Sequence, residues 1–345
     1  MRINSKQLGL SLVELMVAMV IGVASMLVLM QVGIVAESQK RTTIGGGSAV
    51  DSTAVALGML RRDLKLAGFS LNHPDVIGCQ LTAYREAGST TITTRLWPAD
   101  ITQQTALGGS DTLNIRAGNT RRFSEADLFS NHPGDSTPFI TGGNYGFIAG
   151  DVFLIVESGV AQCVMAEVSG APPDNTQVLH ASGSRFNNPA GPGVAFTGAA
   201  RLTNLGPDPT LVRYSVNAGN LQRQELLGNV TDIVLSGVTT FQTQYGFNVT
   251  GAGLTWSDTV LDADGNGVVG NARDWQLLSA IRVAVVIRND KYEKPNSSGV
   301  CDTSPASVAW SFGSFDVSEL PDGRCYRYGV AETIVPLRNL IWSPT

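Results

Sequence analysis

The stretch QLGLSLVELMVAMVIGVASMLVLM, residues 7–30, decides the architecture. It turns from polar to apolar immediately after Gly9, carries Glu14, and is otherwise apolar, Ser25 apart, to Met30; beyond Gln31 the apolar character resumes as far as Val35. At about 1.5 Å per residue, Leu10 to Val35 makes a helix of roughly 39 Å, enough to cross a hydrocarbon layer of about 30 Å. A secretory signal has an apolar core of about 7–15 residues with a small-residue cleavage site behind it. This run is too long, and its cleavage-like feature, Gly9, stands in front of it. Arg2 and Lys6 on the leading segment predict that this end stays cytoplasmic and that the rest of the chain is exported. An acid at the centre of a bilayer costs about 2.5–3.5 kcal/mol and less near the surface. Two readings of Glu14 follow: a carboxylate close enough to the surface to stay hydrated, or one that gains a positive partner when subunits pack.

The remainder is long enough for a sizeable core. Of 345 residues 43% are hydrophobic and 15% charged, which excludes a disordered chain. The net charge of −5 comes without any dense Lys/Arg cluster, which excludes nucleic acid as a partner. After Glu37 a helical pattern continues, with a kink or frayed turn expected at Gly45–Gly47, since each glycine costs about 1 kcal/mol relative to Ala. Val50, Ala54, Leu57, Leu60, Leu64 and Ala67 then recur at spacings of three and four, one face of an amphipathic helix ending near Gly68. Arg61, Arg62 and Lys65 suit the last turn of that helix as a solvated, dipole-compensating end. Strand-like runs follow at 111–118, 151–159, 163–170, 211–216, 230–246, 277–289 and 327–337, while 118–150 and 170–210 read as long loops or small insertions.

The four cysteines have no metal-ligand spacing, and His73, His132 and His180 lie far apart. In an exported body they read as two disulfides. Of three possible pairings, Cys301 with Cys325 closes a short loop and leaves Cys79 with Cys163.

GLSLVELMVAMVIG resembles the class III signal of type IV prepilins and type II secretion pseudopilins: a short basic leader ending in Gly, then an apolar helix with Glu as its fifth residue. The resemblance implies cleavage between Gly9 and Leu10 by prepilin peptidase and methylation of the new N-terminus. It also implies that Glu14 attracts the freed α-amino group of a neighbouring subunit, where an amine and a carboxylate in low dielectric offset each other's desolvation. The departure is Leu10, where the family usually has Phe; this bears on methylation more than on cleavage. Further along, RRDLKLAGF, GSDTLNIRAG, GDVFLIVESG, VTTFQTQYGF, DWQLLSAIRVAVVIR and VPLRNLIW stand in the order seen in PilW-type minor pilins.

That resemblance implies an α+β, pilin-like fold: a long N-terminal helix packed on an antiparallel β-rich globular body. The expected divisions are a leader at 1–9, a transmembrane and assembly helix at 10–36, its amphipathic continuation at 37–69, and a β-rich periplasmic body at 70–345, in one lobe or two. The implied role is a minor pilin in pilus assembly or initiation, at the pilus tip; the alternatives are a pilus-anchored adhesin and a type II secretion minor pseudopilin. Implied partners are other minor pilins, the major pilin, prepilin peptidase, the inner-membrane assembly machinery and a tip adhesin. The implied location is the inner membrane, crossed once, and the pilus after assembly.

One cofactor candidate arises from the residues themselves. In DADGNGVVGNARD, Asp262, Asp264, Asn266 and the Val268 carbonyl match the first half of an EF-hand calcium loop, with Gly267 at the turn. The twelfth position is Arg273, and the next acid, Asp274, comes one residue late. The competing reading is an Asp/Asn/Gly turn between strands. No HExxH, GxSxG, GxxxxGK[ST] or GxGxxG is present, and dispersed histidines offer no general base, so an enzyme is not expected. Arg338 and Asn339 read as a hydrogen-bonding pair at a strand end. Trp97, Trp256, Trp275, Trp310 and Trp342 read as core, with Trp256 the one to consider as a sugar platform.

Overall fold

The computed structural model describes residues 12–104, 109–121, 127–128, 138–143, 146–171, 174, 176–194, 196 and 199–341, with the backbone alone at 34–51, 127–128 and 341. The chain divides into two compact units, Met1–Ser52 and Thr53–Thr345.

Helix α1 (Leu12–Leu66) supplies the described part of the first unit and opens the second. Within the first, residues 12–33 are all exposed, and Leu12–Gly33 is long and apolar enough to cross a membrane. The helix runs unbroken through Gly45–Gly47, where a frayed turn was expected. Residues on both sides are already helical, so the glycines extend an existing helix and need no new nucleus.

In the second unit α1 buries Thr53, Ala56, Leu57, Leu60, Asp63, Leu64 and, just past its end, Ala67. Ala54, expected on this face, is exposed; Ala56 takes its place. Leu60 and Leu64 are wholly buried, which is worth about 1.5–3 kcal/mol each. The helix stops because Gly68 adopts a φ of 78°, and a Cβ there would come within 2.7 Å of Leu340 Cδ2.

The rest of this unit is β. Among the described residues a six-stranded sheet runs in the order β2 (Thr90–Arg95), β1 (Gln80–Arg85), β8 (Gln162–Glu167), β7 (Val152–Val156), β10 (Arg201–Gly206), β5 (Asp127–Leu128). A five-stranded sheet runs β13 (Val230–Ser236), β12 (Asn220–Glu225), β11 (Thr210–Asn217), β4 (Thr112–Ala117), β3 (Ala99–Thr102). A four-stranded sheet runs β15 (Gly253–Ser257), β14 (Val238–Val249), β16 (Leu278–Arg288), β19 (Tyr328–Pro336). Two small hairpin-like pairs complete the set, β17 (Ser307–Trp310) with β18 (Gly313–Asp316), and β6 (Phe139–Ile140) with β9 (Gln177–Val178). Pairing is antiparallel except between β1 and β8, which are parallel. The segments expected as loops contain β5, β6, β9 and β10.

Three clusters fill the interior. The first joins Leu57, Leu60 and Leu64 of α1 to Leu113, Tyr214, Phe241, Phe247, Ile281 and Val283 on the five- and four-stranded sheets. The second, with Leu81, Leu96, Leu154, Met165 and Leu205, and the third, with Phe139, Phe153, Ile155 and Leu202, lie on opposite faces of the six-stranded sheet. Alternate residues of β7 therefore serve different clusters, and all five are buried. This is why the segment reads as a continuous apolar run with no alternation.

Candidate functional site

Glu14 sits in the first turn of α1, where a carboxylate complements the positive end of the helix dipole. The residues around it, Leu12, Val13, Leu15 and Met16, are all exposed within the chain. Gly9 and Leu10 lie outside the described residues. An exposed apolar surface of this extent is suited to lipid or to other apolar helices.

The second unit holds its share of α1 by polar contacts that sequence reading missed. Tyr214 donates its phenolic proton to Asp63 Oδ2 at 2.8 Å, and Arg223 Nε donates to the same oxygen at 2.8 Å. Burial, with the Asp63 charge second, drives the Tyr214 hydroxyl far above its usual pKa and keeps it a donor. An acid on the buried face of the helix, between Leu60 and Leu64, was the available signal. On another side Arg61 Nε donates to Thr333 Oγ1 at 2.7 Å; Arg61, Arg62 and Lys65 are all exposed. At the helix end, Asn339 Nδ2 donates to the carbonyls of Lys65, Leu66 and Ala67 at 3.1–3.2 Å. Arg338 and Asn339 thus belong to a short helix, α3 (Arg338–Ile341), and Asn339 caps α1; neither ends a strand.

The loop at 262–274 is organised by its own acids. Asp262 Oδ1 accepts from the amides of Gly265 and Asn266 at 2.9 and 3.0 Å, and its Oδ2 from Gly267 at 2.8 Å. These amides, Gly267 first, hold the Asp262 carboxyl below its usual range. Asp274, fully buried, accepts four amides: Ala263 and Asp264 on one oxygen, Gly270 and Asn271 on the other, at 2.7–3.2 Å. Asn271 in turn caps helix α2 (Ala272–Gln276) through a capping box with Asp274. Carboxylate oxygens of Asp262, Asp264 and Asp274 all lie within 4.8 Å of one another, so the late acid does join the other two. The set is all oxygen, as a hard divalent cation requires. Asn266 Oδ1 and the Val268 carbonyl, however, accept from the Val268 amide and from Asn271 Nδ2, both at 2.8 Å. Arg273 bonds Gln276 at 3.3 Å.

Cys79 is bonded to Cys163, and Cys301 to Cys325. The first bond ties the approach to β1 to the parallel strand β8, and the second closes the segment that carries β17 and β18. Trp256 lies flat over Gly246, where a Cβ would stand 2.8 Å from the ring. The Arg282 guanidinium packs 4.7 Å from the indole centre and 4.5 Å from that of Phe312. Backbone and guanidinium contact already engage this ring, which argues against a free sugar platform. Trp97 stacks on buried Trp275 at 4.6 Å, and Trp342 lies outside the described residues.

Residues 4–30 match the prokaryotic N-terminal methylation motif, and residues 198–339, from just before β10 into α3, match the type IV pilus-assembly protein W family. Among solved structures the chain is similar to a type IV-like pilin, TTHA1219, from Thermus thermophilus, at 14% identity and a TM-score of 0.35, over 84% of this chain and 96% of that one. No curated protein matches. The apolar helix, the methylation motif laid over its start and the family match over residues 198–339 support a PilW-type minor pilin with a class III prepilin signal, one that takes part in type IV pilus assembly.

Proposed function

We propose that this minor pilin is inserted once into the inner membrane with its body in the periplasm, loses residues 1–9 to prepilin peptidase, and initiates pilus assembly from the tip. The observation that carries this reading is the fully exposed apolar stretch Leu12–Gly33, with Glu14 in its first turn, most of it overlapping the methylation-motif match at 4–30. Residues 10–36 act as membrane and assembly helix, 37–69 as its continuation, and 70–345 as the body. The helix leaves lipid for a bundle of other pilins, major and minor, and Glu14 sets register by pairing with the α-amino group of a neighbouring Leu10, methylated or not. In a low-dielectric bundle that pair replaces lost hydration on both charges. A body of this size is too bulky for every position of a repeating lattice, which favours the tip.

The intact mass and first residue of the protein purified from membranes test the processing step. A mature chain starting at Leu10 is expected, and one starting at Met1 would falsify the reading. Deletion separates the roles: loss of an initiator leaves few pili, loss of an adhesin leaves piliated cells that adhere poorly, and loss of a pseudopilin lowers protein secretion. Gold labelling along whole filaments, with no enrichment at the ends, counts against the tip.

Calcium is a second reading, favoured by the three converging carboxylates of the 262–274 loop. Asp262, Asp264 and Asp274 would hold the ion, with Asn266 and Val268 turning from their present partners to join them.

A further inference from the structure

β2 has the sequence Thr90-Thr-Ile-Thr-Thr-Arg95 and pairs with β1 residue for residue, without a bulge. Its other edge has no strand beside it among the described residues. The direction of its backbone groups follows from its end. Leu96 donates to the Cys79 carbonyl at 3.0 Å and accepts from the Gly78 amide at 3.1 Å, while Gln80, opposite Arg95, donates away from β2 to Ala161 at 2.8 Å. Because facing alternates along an antiparallel pair, Thr90, Ile92 and Thr94 bond to β1, and Thr91, Thr93 and Arg95 present their N–H and C=O groups outward. All three of these are exposed.

Proteins blunt such edges with charge, proline, bulges, short strands or cover. β13 carries Asp232 and a bulge opposite Leu221 and Gln222. β19 carries Glu332, which accepts from the Ser311 amide at 3.0 Å beneath the β17–β18 hairpin, and ends in Pro336. β3 and β5 have four and two residues, and β15 has five, opening on Gly253 with a φ of 74°. Among these edges β2 has five uncharged residues in a row, no proline, no bulge and no cover among the described residues, and its one charge, Arg95, stands at its end.

We propose that the outer edge of β2 pairs with the same edge of a second copy of this chain, joining two six-stranded sheets across a two-fold axis through Thr93. The outward groups are disposed symmetrically about that residue. Antiparallel self-pairing sets Thr93 against the second copy's Thr93 and Thr91 against its Arg95, so every outward amide and carbonyl finds a mate. On the other face Ile92 meets Thr94, a favourable cross-strand pair. The two arginines fall at opposite ends, each with its guanidinium donating to its own chain's Gly78 carbonyl at 3.2 Å, so no like charges are opposed.

The full chain in detergent micelles tests this. All four native cysteines are in disulfides, so Thr93→Cys adds the one free thiol. At the roughly 5.5 Å Cα separation of a hydrogen-bonded pair it forms a disulfide-linked dimer under mild oxidation, whereas Thr231→Cys on β13 does not. Thr93→Pro removes an outward N–H and leaves the pairing with β1 intact, so it weakens dimerisation by about tenfold or more in sedimentation while the melting temperature holds. Three results overturn the proposal: a wild-type protein that sediments as one chain per micelle, a dimer unmoved by Thr93→Pro, or cross-linking equal at positions 93 and 231.

Discussion

Tyr214 and Asp63 meet across 151 residues of sequence, phenol to carboxylate at 2.8 Å, and fasten one face of α1 to β11. Replacing Tyr214 by Phe keeps the ring and leaves Asp63 with one donor fewer. A loss of about 1–3 kcal/mol in urea unfolding of the full chain is expected. Asp63→Ala costs more, because it strands the phenol and the Arg223 guanidinium together.

The same hydroxyl makes stability depend on alkaline pH. Burial raises Tyr214 above its ordinary value of 10.0, and raises Tyr245 in the same direction. An acid whose folded pKa is raised contributes fully below its unfolded pKa, and that contribution is lost progressively as pH climbs beyond it. Stability should therefore fall above pH about 10. Tyr214→Phe flattens this decline without abolishing it, since Tyr245 still titrates. A variant as steep as wild type would contradict the assignment.

The two disulfides close loops of different length, with sequence separations of 84 and 24. Chain entropy assigns about 4–5 kcal/mol to the first and about 3–4 kcal/mol to the second. The Cys79→Ala/Cys163→Ala pair should lower the denaturant midpoint more than Cys301→Ala/Cys325→Ala. The reverse order would place the stabilisation in local packing around Cys301.

The acidic loop separates structure from metal. Asp274→Asn exposes the backbone amides to an Nδ2 donor and lowers the melting temperature in the presence of chelator. Asp262→Asn, at a half-buried position that accepts three amides, lowers the melting temperature of the chelated protein less than Asp274→Asn does, and removes a rise in melting temperature produced by millimolar CaCl2. Wild-type protein that melts identically in CaCl2 and in chelator leaves the loop as a turn only.

Much of this was legible in the sequence, for physical reasons that also explain the gaps. The Leu12–Gly33 helix and the amphipathic face around Leu57, Leu60 and Leu64 carry strong apolar signals, and β7, β14 and β16 are rich in β-branched and aromatic residues. β1, β2 and β10 were missed because each is six residues long with few apolar side chains, so apolar alternation is faint even where, as in β2, Thr favours a strand. By contrast, Tyr214, Arg223, Thr333 and Asn339 meet α1 only through tertiary folding, which no local window contains. The Asp274 cluster was half visible: the residues were in view, but the four amides that occupy its oxygens were not.

Asn339 also bears on the order of events during biogenesis. The carbonyls it closes belong to residues made some 270 positions earlier. A nascent chain therefore carries an uncapped, half-wrapped helix until its last turn arrives, and premature termination anywhere upstream leaves that helix end open to proteolysis. Closure of this helix end thus waits on the synthesis of α3.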